Sequence, residues 1–201
     1  MKQDAIKRAA ELLRSADGLL ITAGAGMGVD SGLPDFRGDQ GFWQAYPALR
    51  GYSFIDMANP RWFHTDPHRA WGFYGHRLNL YRSTMPHRGF SLLKQWSADK
   101  REGSFVFTSN VDGQFQEAGF NPLEVCECHG SIHHLQGFVR SAEIVSAEGI
   151  ALEIDEEALR LVGDLPTHPK IKGDLRPNIL MFGDISWNGR RTYEQEARLE
   201  R

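Results

Sequence analysis

The stretch LLITAGAGMGVDSGLPDFR, residues 19–37, begins with an apolar run that predicts a short strand at residues 19–22. Three glycines follow the strand at alternate positions: Gly24, Gly26 and Gly28. Main chain without side chains can approach a phosphate closely and offer its N–H groups to it. The glycine spacing alone fits a GxGxxG dinucleotide motif poorly, because Val29 stands at the third glycine position. A polar Pro-Asp-Phe-Arg tail, residues 34–37, follows instead of a plain helix.

Apolar strands that end in glycine or polar residues recur along the chain and alternate with helices. The further strand candidates are residues 105–108, 123–128 and 178–182. They lead into a Ser-Asn-Val-Asp loop, a His-Gly pair and a Gly-Asp pair, respectively. This alternation predicts an α/β fold with a Rossmann-like, mostly parallel sheet, in which ligands gather at the carboxyl ends of the strands. Residues 131–174 are less regular and predict a small inserted module with a strand at 144–145 and a helix at 155–162.

The clearest helix begins at Asp66, with proline at its first turn. Its inward stripe has helical spacing and comprises Ala70, Phe73, Tyr74, Arg77, Leu78 and Tyr81. Another helix is predicted at the N-terminus, capped by Asp4 and ended by Gly18, with Ile6, Ala9, Ala10 and Leu13 on its apolar face. Shorter helices are expected at 89–96, between Asp112 and Gly119, and at 190–201, and residues 38–65 are expected to form a partly helical loop over a cleft.

The composition excludes several classes of protein. The net charge is −3 and no basic block is present, so neither nucleic acid nor an anionic membrane is an expected partner. No apolar run reaches the roughly 18 to 20 residues of a membrane span, and the N-terminus lacks a signal-peptide core, so a cytoplasmic location is expected. The two cysteines, Cys126 and Cys128, share one face of a strand at a separation too wide for an easy disulfide.

Three polar side chains at the strand exits suit chemistry on a small ligand. Asn110 and Asp112 offer a donor and an acceptor, which recognition of a carboxamide such as nicotinamide requires. The alternative is that both are turn and helix-cap residues. His129 follows a strand, and histidine is the side chain that takes up a proton near neutrality. A lone histidine is more often structural.

Tyr74 and Arg77 stand at i and i+3 on the buried stripe, so a phenol and a guanidinium can converge on one small acid. Arginine forms bidentate pairs with carboxylates, and a tyrosine hydroxyl can add a third hydrogen bond. The alternative is that Tyr74 packs in the core and Arg77 pairs with a nearby Asp or Glu.

Taken together, these motifs resemble the signatures of the sirtuins, the NAD-consuming protein deacylases. Residues 24–37 are similar to GAGxSxxSGxPDFR, and residues 108–112 are similar to TQN(I/V)D with Ser109 in place of the glutamine. His129 and the glycine after it match the HG motif. Residues 176–184 resemble RPxVVxFGE with aspartate in place of the glutamate. The matches occur in the family's order and cover most of the chain.

The helix stripe adds a resemblance within the family. Tyr74 and Arg77 are similar to the YxxR pair of sirtuins that remove succinyl, malonyl or glutaryl groups. The resemblance therefore implies removal of acyl groups from protein lysines, with succinyl or malonyl favoured and acetyl also accepted. NAD is the implied co-substrate, and nicotinamide and O-acyl-ADP-ribose are the implied products.

The resemblance also assigns residues to roles. The implied catalytic residues are His129, Asn110 and Asp112. The implied cofactor-binding residues are Gly24, Ala25, Gly26, Asp35, Phe36, Arg37, Ser109, Asn110 and Asp112. The implied substrate-binding residues are Tyr74, Arg77, Met181, Phe182, Gly183 and Asp184. In the family the histidine deprotonates a ribose hydroxyl, and the last strand pairs with the extended acyl-lysine peptide.

Two departures from the family pattern concern its modules. The resemblance assigns residues 1–130 and 175–201 to the NAD-binding domain and residues 131–174 to the position of the zinc module, but no CxxC pair is present, so no metal is expected. The alternative is an irregular zinc site built from Cys126, Cys128, His133 and His134. Nothing after residue 184 resembles the family's later strands, which hold the adenosine half of NAD, so an incomplete sheet is expected.

These features leave three functional interpretations. The first is an NAD-dependent lysine deacylase that favours acidic acyl groups. The second is an NAD hydrolase or ADP-ribosyltransferase with the same chemistry, for which Tyr74 and Arg77 would have no evident use. The third is a catalytically impaired, truncated relative that binds a peptide, a ligand or a partner chain.

Overall fold

The computed structural model describes residues 2–35, 38–138 and 143–201, apart from the side chains of residues 2 and 38–41. The helices are α1 (Lys2–Ser15), α2 (Gly38–Ala45), α3 (Phe54–Met57), α4 (Arg61–Thr65), α5 (Pro67–Ser83), α6 (Arg88–Ala98), α7 (Gln114–Glu117) and α8 (Arg190–Leu199). The strands are β1 (Leu19–Ala23), β2 (Ser104–Thr108), β3 (Val125–Glu127), β4 (Gly130–Gly137), β5 (Ile144–Ser146), β6 (Ile154–Asp155), β7 (Arg160–Leu161) and β8 (Leu175–Ile179). None of these helices is long and apolar enough to cross a membrane.

The first sheet is parallel, with strand order β1-β2-β3. Ile21 of β1 lies beside Val106 of β2, which lies beside Val125 of β3. Val106 and Val125 are fully buried in one cluster with Phe90 of α6. Because the three strands run in the same direction, their carboxyl ends meet at one edge of the sheet. This arrangement confirms the predicted α/β fold with a parallel sheet.

The second sheet is antiparallel, with strand order β5-β4-β8. Gly130 lies opposite Ile179, and the register of this pair shifts between Ser131 and Leu135. Strand β8 begins earlier than the predicted strand at 178–182. Segments that the sequence assigned to different domains, 131–174 and 175–201, therefore contribute strands to one sheet.

Helix α5 packs in the larger cluster of the core, and its predicted start and stripe are present. The Asp66 side chain accepts a hydrogen bond from the Arg69 N–H at 3.3 Å and caps the helix. All six residues of the stripe are buried, and even Arg77 is only 6% exposed. Close packing requires Gly72 on the opposite side of the helix, where a Cβ atom would lie 2.0 Å from the Leu159 carbonyl oxygen.

The predicted helix at residues 155–162 is wrong, because this segment forms the antiparallel hairpin β6–β7. The Asp155 carboxylate accepts the N–H groups of Glu157 and Ala158 at 3.0 Å each, which closes a turn that competes with a helix. Leu159 then adopts a left-handed conformation with φ 49° and packs, 2% exposed, in the core against α5. The strand predicted at 144–145 is present as β5.

The apolar face predicted for α1 is open to solvent. The helix forms, but Ile6 is 67% exposed, because no described residue packs over that face. A neighbouring apolar hollow of about 620 Å³ runs along β1 and is lined in part by Leu13, Leu20 and Trp96. Among the described strands, β1 pairs with β2 alone.

The opposite edge of the parallel sheet is covered by α8. The Thr192 hydroxyl donates to the Glu127 carbonyl oxygen at 3.0 Å, and the Gln195 side-chain oxygen accepts the Glu127 N–H at 3.1 Å. Arg191 also pairs with the Glu127 carboxylate at 2.5 Å. Side chains of α8 thus satisfy main-chain groups that a fourth strand would otherwise bond.

A fully buried ion pair fixes the loop after β8. Arg176 Nη1 lies 2.6 Å from Asp184 Oδ2, and neither side chain is exposed to solvent. Asp184 Oδ1 also accepts the N–H of Ser186 at 3.1 Å. Breaking a buried pair from one side leaves the other charge without compensation, which is far more costly than breaking an exposed pair.

We expect Asp184→Asn to lower the free energy of unfolding by about 3 kcal/mol, because Arg176 would remain buried without its counter-charge. Urea unfolding measures this value. The matched control is Glu194→Gln, which removes the exposed i,i+4 pair with Arg190 and should cost less than about 0.5 kcal/mol. Equal effects of the two substitutions would contradict the importance given to the buried pair.

Candidate active site

A cavity of about 750 Å³ lies between the carboxyl ends of β1 and β2, helix α5 and the loop after β8. Most of the predicted site residues line it: Ala25, Asp35, Tyr74, Arg77, Ser109, Asn110, Asp112, His129, Met181, Phe182, Gly183 and Asp184. The predicted residues Gly24 and Gly26 line the adjacent hollow along β1 instead. Phe36 and Arg37, also predicted, lie outside the described residues.

The exits of β1 and β2 are fastened together by hydrogen bonds. The Ser109 N–H donates to the Ala23 carbonyl oxygen at 3.1 Å, which extends the parallel ladder by one step. The Asn110 side-chain amide donates to the Gly24 carbonyl oxygen at 3.0 Å. Asn110 thus links the predicted carboxamide-binding loop to the start of the glycine loop, which continues as a 3₁₀ helix from Ala25.

Asp112 is held from two sides. Its Oδ1 atom accepts the Gln114 N–H at 3.0 Å, while Gly113, in a left-handed conformation, is the N-cap residue of α7. The predicted capping role is therefore present as a side-chain turn one residue earlier. His133 Nε2 lies 2.8 Å from the Asp112 carbonyl oxygen. Burial raises the pKa of the Asp112 carboxyl, while the Gln114 N–H opposes this effect.

His129 is exposed at the mouth of the cavity. Its carbonyl oxygen accepts the Leu180 N–H at 2.9 Å, so the histidine and the loop after β8 are joined through the main chain. Gly130 has φ 78°, and a Cβ atom there would lie 2.1 Å from the Asn178 carbonyl oxygen. The glycine of the His-Gly pair is therefore required by close approach of β8 and by backbone conformation.

The stripe of α5 brings a guanidinium and phenols to the cavity wall. Arg77 Nε and Nη2 donate to the Tyr81 hydroxyl oxygen at 3.0 and 2.9 Å. The Tyr74 hydroxyl is buried and has no hydrogen-bond partner among the described residues. Burial, the largest effect, raises the pKa of Tyr74, and Arg77 opposes this shift.

The sequence placed Tyr81 on the stripe but not in the site. Its i+4 spacing from Arg77 was the available signal.

The loop after β8 places its residues in two different ways. The Phe182 N–H donates to the Ala58 carbonyl oxygen at 2.9 Å, and its half-exposed ring meets the Phe54 ring edge-on at 6.3 Å between centroids. The Asp184 carboxylate instead points into the buried ion pair described above. Asp184 therefore shapes the cavity by fixing its loop rather than by offering its charge to a ligand.

The residues of the alternative zinc site do not assemble. Cys126 lies fully buried in β3, whereas His133 belongs to β4 of the other sheet and bonds the Asp112 carbonyl oxygen. Burial, followed by the positive charge of Arg191, lowers the pKa of His134 to about 3. In residues 2–35, 38–138 and 143–201 no three His, Cys, Asp or Glu side chains group as metal ligands would. Among the described residues, the four donors of the alternative site therefore do not form a metal-binding group.

The raised pKa of Asp112 yields a prediction about stability. A carboxyl whose native pKa lies above its unfolded value destabilises the fold progressively as pH rises through the native pKa. We therefore expect Asp112→Asn to increase thermal stability at pH 7, and the gain to shrink as pH falls and the wild-type carboxyl takes up a proton in the folded state. Thermal unfolding between pH 4 and 7 measures both effects.

Asp155→Asn serves as the control for this series, because Asp155 is exposed and forms the same kind of side-chain turn. This variant should show no comparable gain at pH 7. An Asp112→Asn protein that is less stable than wild type at pH 7 would contradict the burial argument.

Relatives of known type match most of the chain. An NAD-dependent protein deacetylase of Caldivirga maquilingensis is 30% identical over 181 residues, which cover 89% of this chain and 63% of the relative. An NAD-dependent protein deacylase of Thermococcus kodakarensis is 33% identical over 180 residues, which cover 88% of this chain and 63% of the relative. The chain thus spans less than two thirds of the length of these relatives.

Solved structures agree on the fold, and the family model agrees on the sequence. A Sir2 homologue in complex with NAD superposes with a TM-score of 0.71 at 22% identity, covering 96% of this chain and 68% of the homologue. A mutant Sir2 homologue in complex with 2′-O-acetyl-ADP-ribose superposes with a TM-score of 0.70 at 22% identity, covering 96% and 70%. The Sir2 family model matches residues 24–198, and the chain therefore belongs to the Sir2 family.

Proposed function

We propose that this protein removes acyl groups from protein lysines with consumption of NAD, and that it favours acidic acyl groups such as succinyl or malonyl. The observation that carries the proposal is the shared cavity. His129, Asn110 and Asp112 line the same space as Tyr74 and Arg77. One cavity thus holds a base, a pair of side chains that can bind a carboxamide, and a pair that can bind an acid. NAD and an acyl-lysine peptide bound together in it could contact all of them. The relatives named as NAD-dependent deacylases and deacetylases support the same reaction.

The residues present fit the nicotinamide-ribose half of NAD. Asn110 is oriented by its bond to Gly24, and the partly buried carboxylate of Asp112 is an acceptor for an amide N–H. The main chain from Gly24 to Gly26 lies at the exit of β1, where phosphates bind in folds of this type. Asp35 and Ser109 complete this side of the cavity.

The chemistry divides between the co-substrate and the protein. When bound, NAD supplies an electrophilic ribose carbon that the acyl oxygen can attack as nicotinamide leaves. His129, exposed at the cavity mouth, is the group that would take a proton from a ribose hydroxyl. Asp112 and Asn110 would bind the departing carboxamide. The main chain of residues 180–183 would pair with the extended peptide, with the half-exposed Phe182 ring beside it.

The acidic acyl preference rests on the wall of α5. Arg77 is only 6% exposed; burial alone would lower the pKa of its guanidinium, but the phenols of Tyr81, Tyr46 and Tyr74 outweigh this effect and raise it. An acyl carboxylate entering the cavity would add a full negative charge beside this cation. The buried Tyr74 hydroxyl, which has no partner among the described residues, would donate a hydrogen bond to the same carboxylate.

The reaction is tested by incubating the protein with NAD and a succinyl-lysine peptide and measuring nicotinamide and free-lysine peptide together. His129→Ala should reduce the rate by about 10²–10⁴-fold, because the general base is lost. His68→Ala is the control, since His68 lies away from the cavity and contacts the Gly163 carbonyl oxygen. Wild-type and His129→Ala proteins with the same background rate would contradict a catalytic role for His129.

Other outcomes of this assay identify the alternative functions. Release of nicotinamide without deacylated peptide would indicate NAD hydrolysis or ADP-ribosyl transfer. Peptide binding without turnover of either substrate would indicate a catalytically impaired binding protein. Each of these results would overturn the proposed deacylase.

The acyl preference is tested with matched succinyl-lysine and acetyl-lysine peptides. We expect Arg77→Met to raise the KM for the succinyl peptide by roughly 10- to 100-fold, because the charge-assisted hydrogen bonds to the carboxylate are lost, and to leave the acetyl peptide nearly unaffected. Arg82→Met is the control on the same helix, since Arg82 bonds the Ile150 and Ala147 carbonyl oxygens. An unchanged ratio between the two peptides in Arg77→Met would contradict the acidic preference.

A further inference from the structure

Helix α5 presents a third polar side chain to the cavity, one turn beyond Arg77. Tyr81 is 6% exposed, lines the cavity and contacts the arginine through its hydroxyl oxygen. Both hydrogen bonds, from Nε at 3.0 Å and from Nη2 at 2.9 Å, come from the same edge of the guanidinium. Two bonds from one edge to one oxygen fix the plane of the guanidinium as well as its position.

The packing around the guanidinium strengthens this orientation. The Arg77 Cζ atom lies 5.3 Å from the Phe73 ring centroid and 5.4 Å from that of Tyr81. Aromatic rings of Phe54 and Tyr74 lie within 5.9 and 5.7 Å. These rings come from α5 and α3, so the aromatic surroundings are built from rigid elements.

A phenol has an advantage over a carboxylate at this place. A carboxylate at position 81 would hold the guanidinium equally well but would cancel its charge and compete with an acidic ligand. The Tyr81 hydroxyl is a neutral acceptor, and burial raises the pKa of Tyr81 further from neutrality. The guanidinium is therefore positioned by a group that carries no charge of its own.

We propose that Tyr81 is a positioning residue that aims the Arg77 guanidinium at the acyl carboxylate and thereby sets the length of acidic acyl group that the site accepts. This inference rests on the acidic acyl preference proposed above. A guanidinium fixed at one depth favours the chain length whose carboxylate reaches it, whereas a mobile guanidinium follows ligands of several lengths. Tyr81 therefore acts through Arg77 on substrate choice.

The test is Tyr81→Phe, which keeps the ring and removes only the hydroxyl. We expect the KM for the preferred acidic acyl-lysine peptide to rise about tenfold, with kcat and the acetyl-lysine reaction nearly unchanged. Across malonyl-, succinyl- and glutaryl-lysine peptides, the difference in kcat/KM between the best and the worst should shrink. Tyr52→Phe is the matched control, because it removes a 3.2 Å bond from Arg69 to a tyrosine hydroxyl outside the cavity.

A double substitution distinguishes this proposal from the one on which it rests. In an Arg77→Met background, Tyr81→Phe should have no further effect on any peptide, because the guanidinium that it positions is gone. If Arg77→Met leaves the acyl preference unchanged, the acidic preference itself fails. If Arg77→Met abolishes the preference but Tyr81→Phe changes neither KM nor the length profile, only the proposal for Tyr81 fails.

Two further results would also overturn the role of Tyr81. An equal loss with acidic and acetyl peptides would show that the hydroxyl supports packing rather than substrate choice. A persistent effect of Tyr81→Phe in the Arg77→Met background would show that Tyr81 acts without Arg77. The affinity for the three acidic peptides, measured by titration calorimetry, gives the same comparison independently of turnover. The expected result is a roughly tenfold weaker Kd for the preferred peptide in Tyr81→Phe.

Discussion

The hydrogen bond from the Ile132 N–H to the Val111 carbonyl oxygen, at 3.0 Å, is the point on which the site depends. It joins strand β4 of the antiparallel sheet to the loop that follows β2 of the parallel sheet. One residue further along, the His133 ring contacts the Asp112 carbonyl oxygen and links the same two segments. The cavity lies where the two sheets meet. Its catalytic candidates come from both sides of that junction, so the relative position of Asp112 and His129 is set by main-chain geometry rather than by mobile side chains.

A second constraint is the burial of positive charge in an apolar stripe. Desolvation disfavours the charge of Arg77, and aromatic ring faces and the Tyr81 hydroxyl oxygen stabilise it. Arg176 is treated differently, since a carboxylate neutralises it at 2.6 Å. One buried arginine thus serves to hold a loop, and the other lines the wall of the cavity. The two sites together explain why Asp184 takes part in architecture while residues of the α5 stripe line the cavity.

Local signals in the sequence were reliable where short-range physics decides the outcome. The Asp66 cap with its proline, and the spacing of the stripe, predict α5 and its buried face because both depend on neighbours within one or two turns. The positions of β1 and β2, and the meeting of their carboxyl ends, were likewise predicted from the alternation of strands with helices.

The hairpin at β6–β7 was missed because the Asp155 side chain closes a turn inside a helix-like pattern. The pairing of β8 with β4 depends on contacts about 45 residues apart, which no periodicity records. Tyr81 was placed in the core correctly, but its bond to Arg77 depends on side-chain orientation.

Because α8 covers β3, the edge of the parallel sheet that could pair with a further strand is the one formed by β1. Thr192 and Gln195 occupy the hydrogen-bonding groups of Glu127, so within the described chain that side of the sheet is closed to any additional strand. The other side begins at β1, whose strand leads directly into the glycine loop. Any strand added to this sheet would therefore be laid down beside the loop that faces the cavity. A larger sheet would therefore also have a longer wall next to the glycine loop.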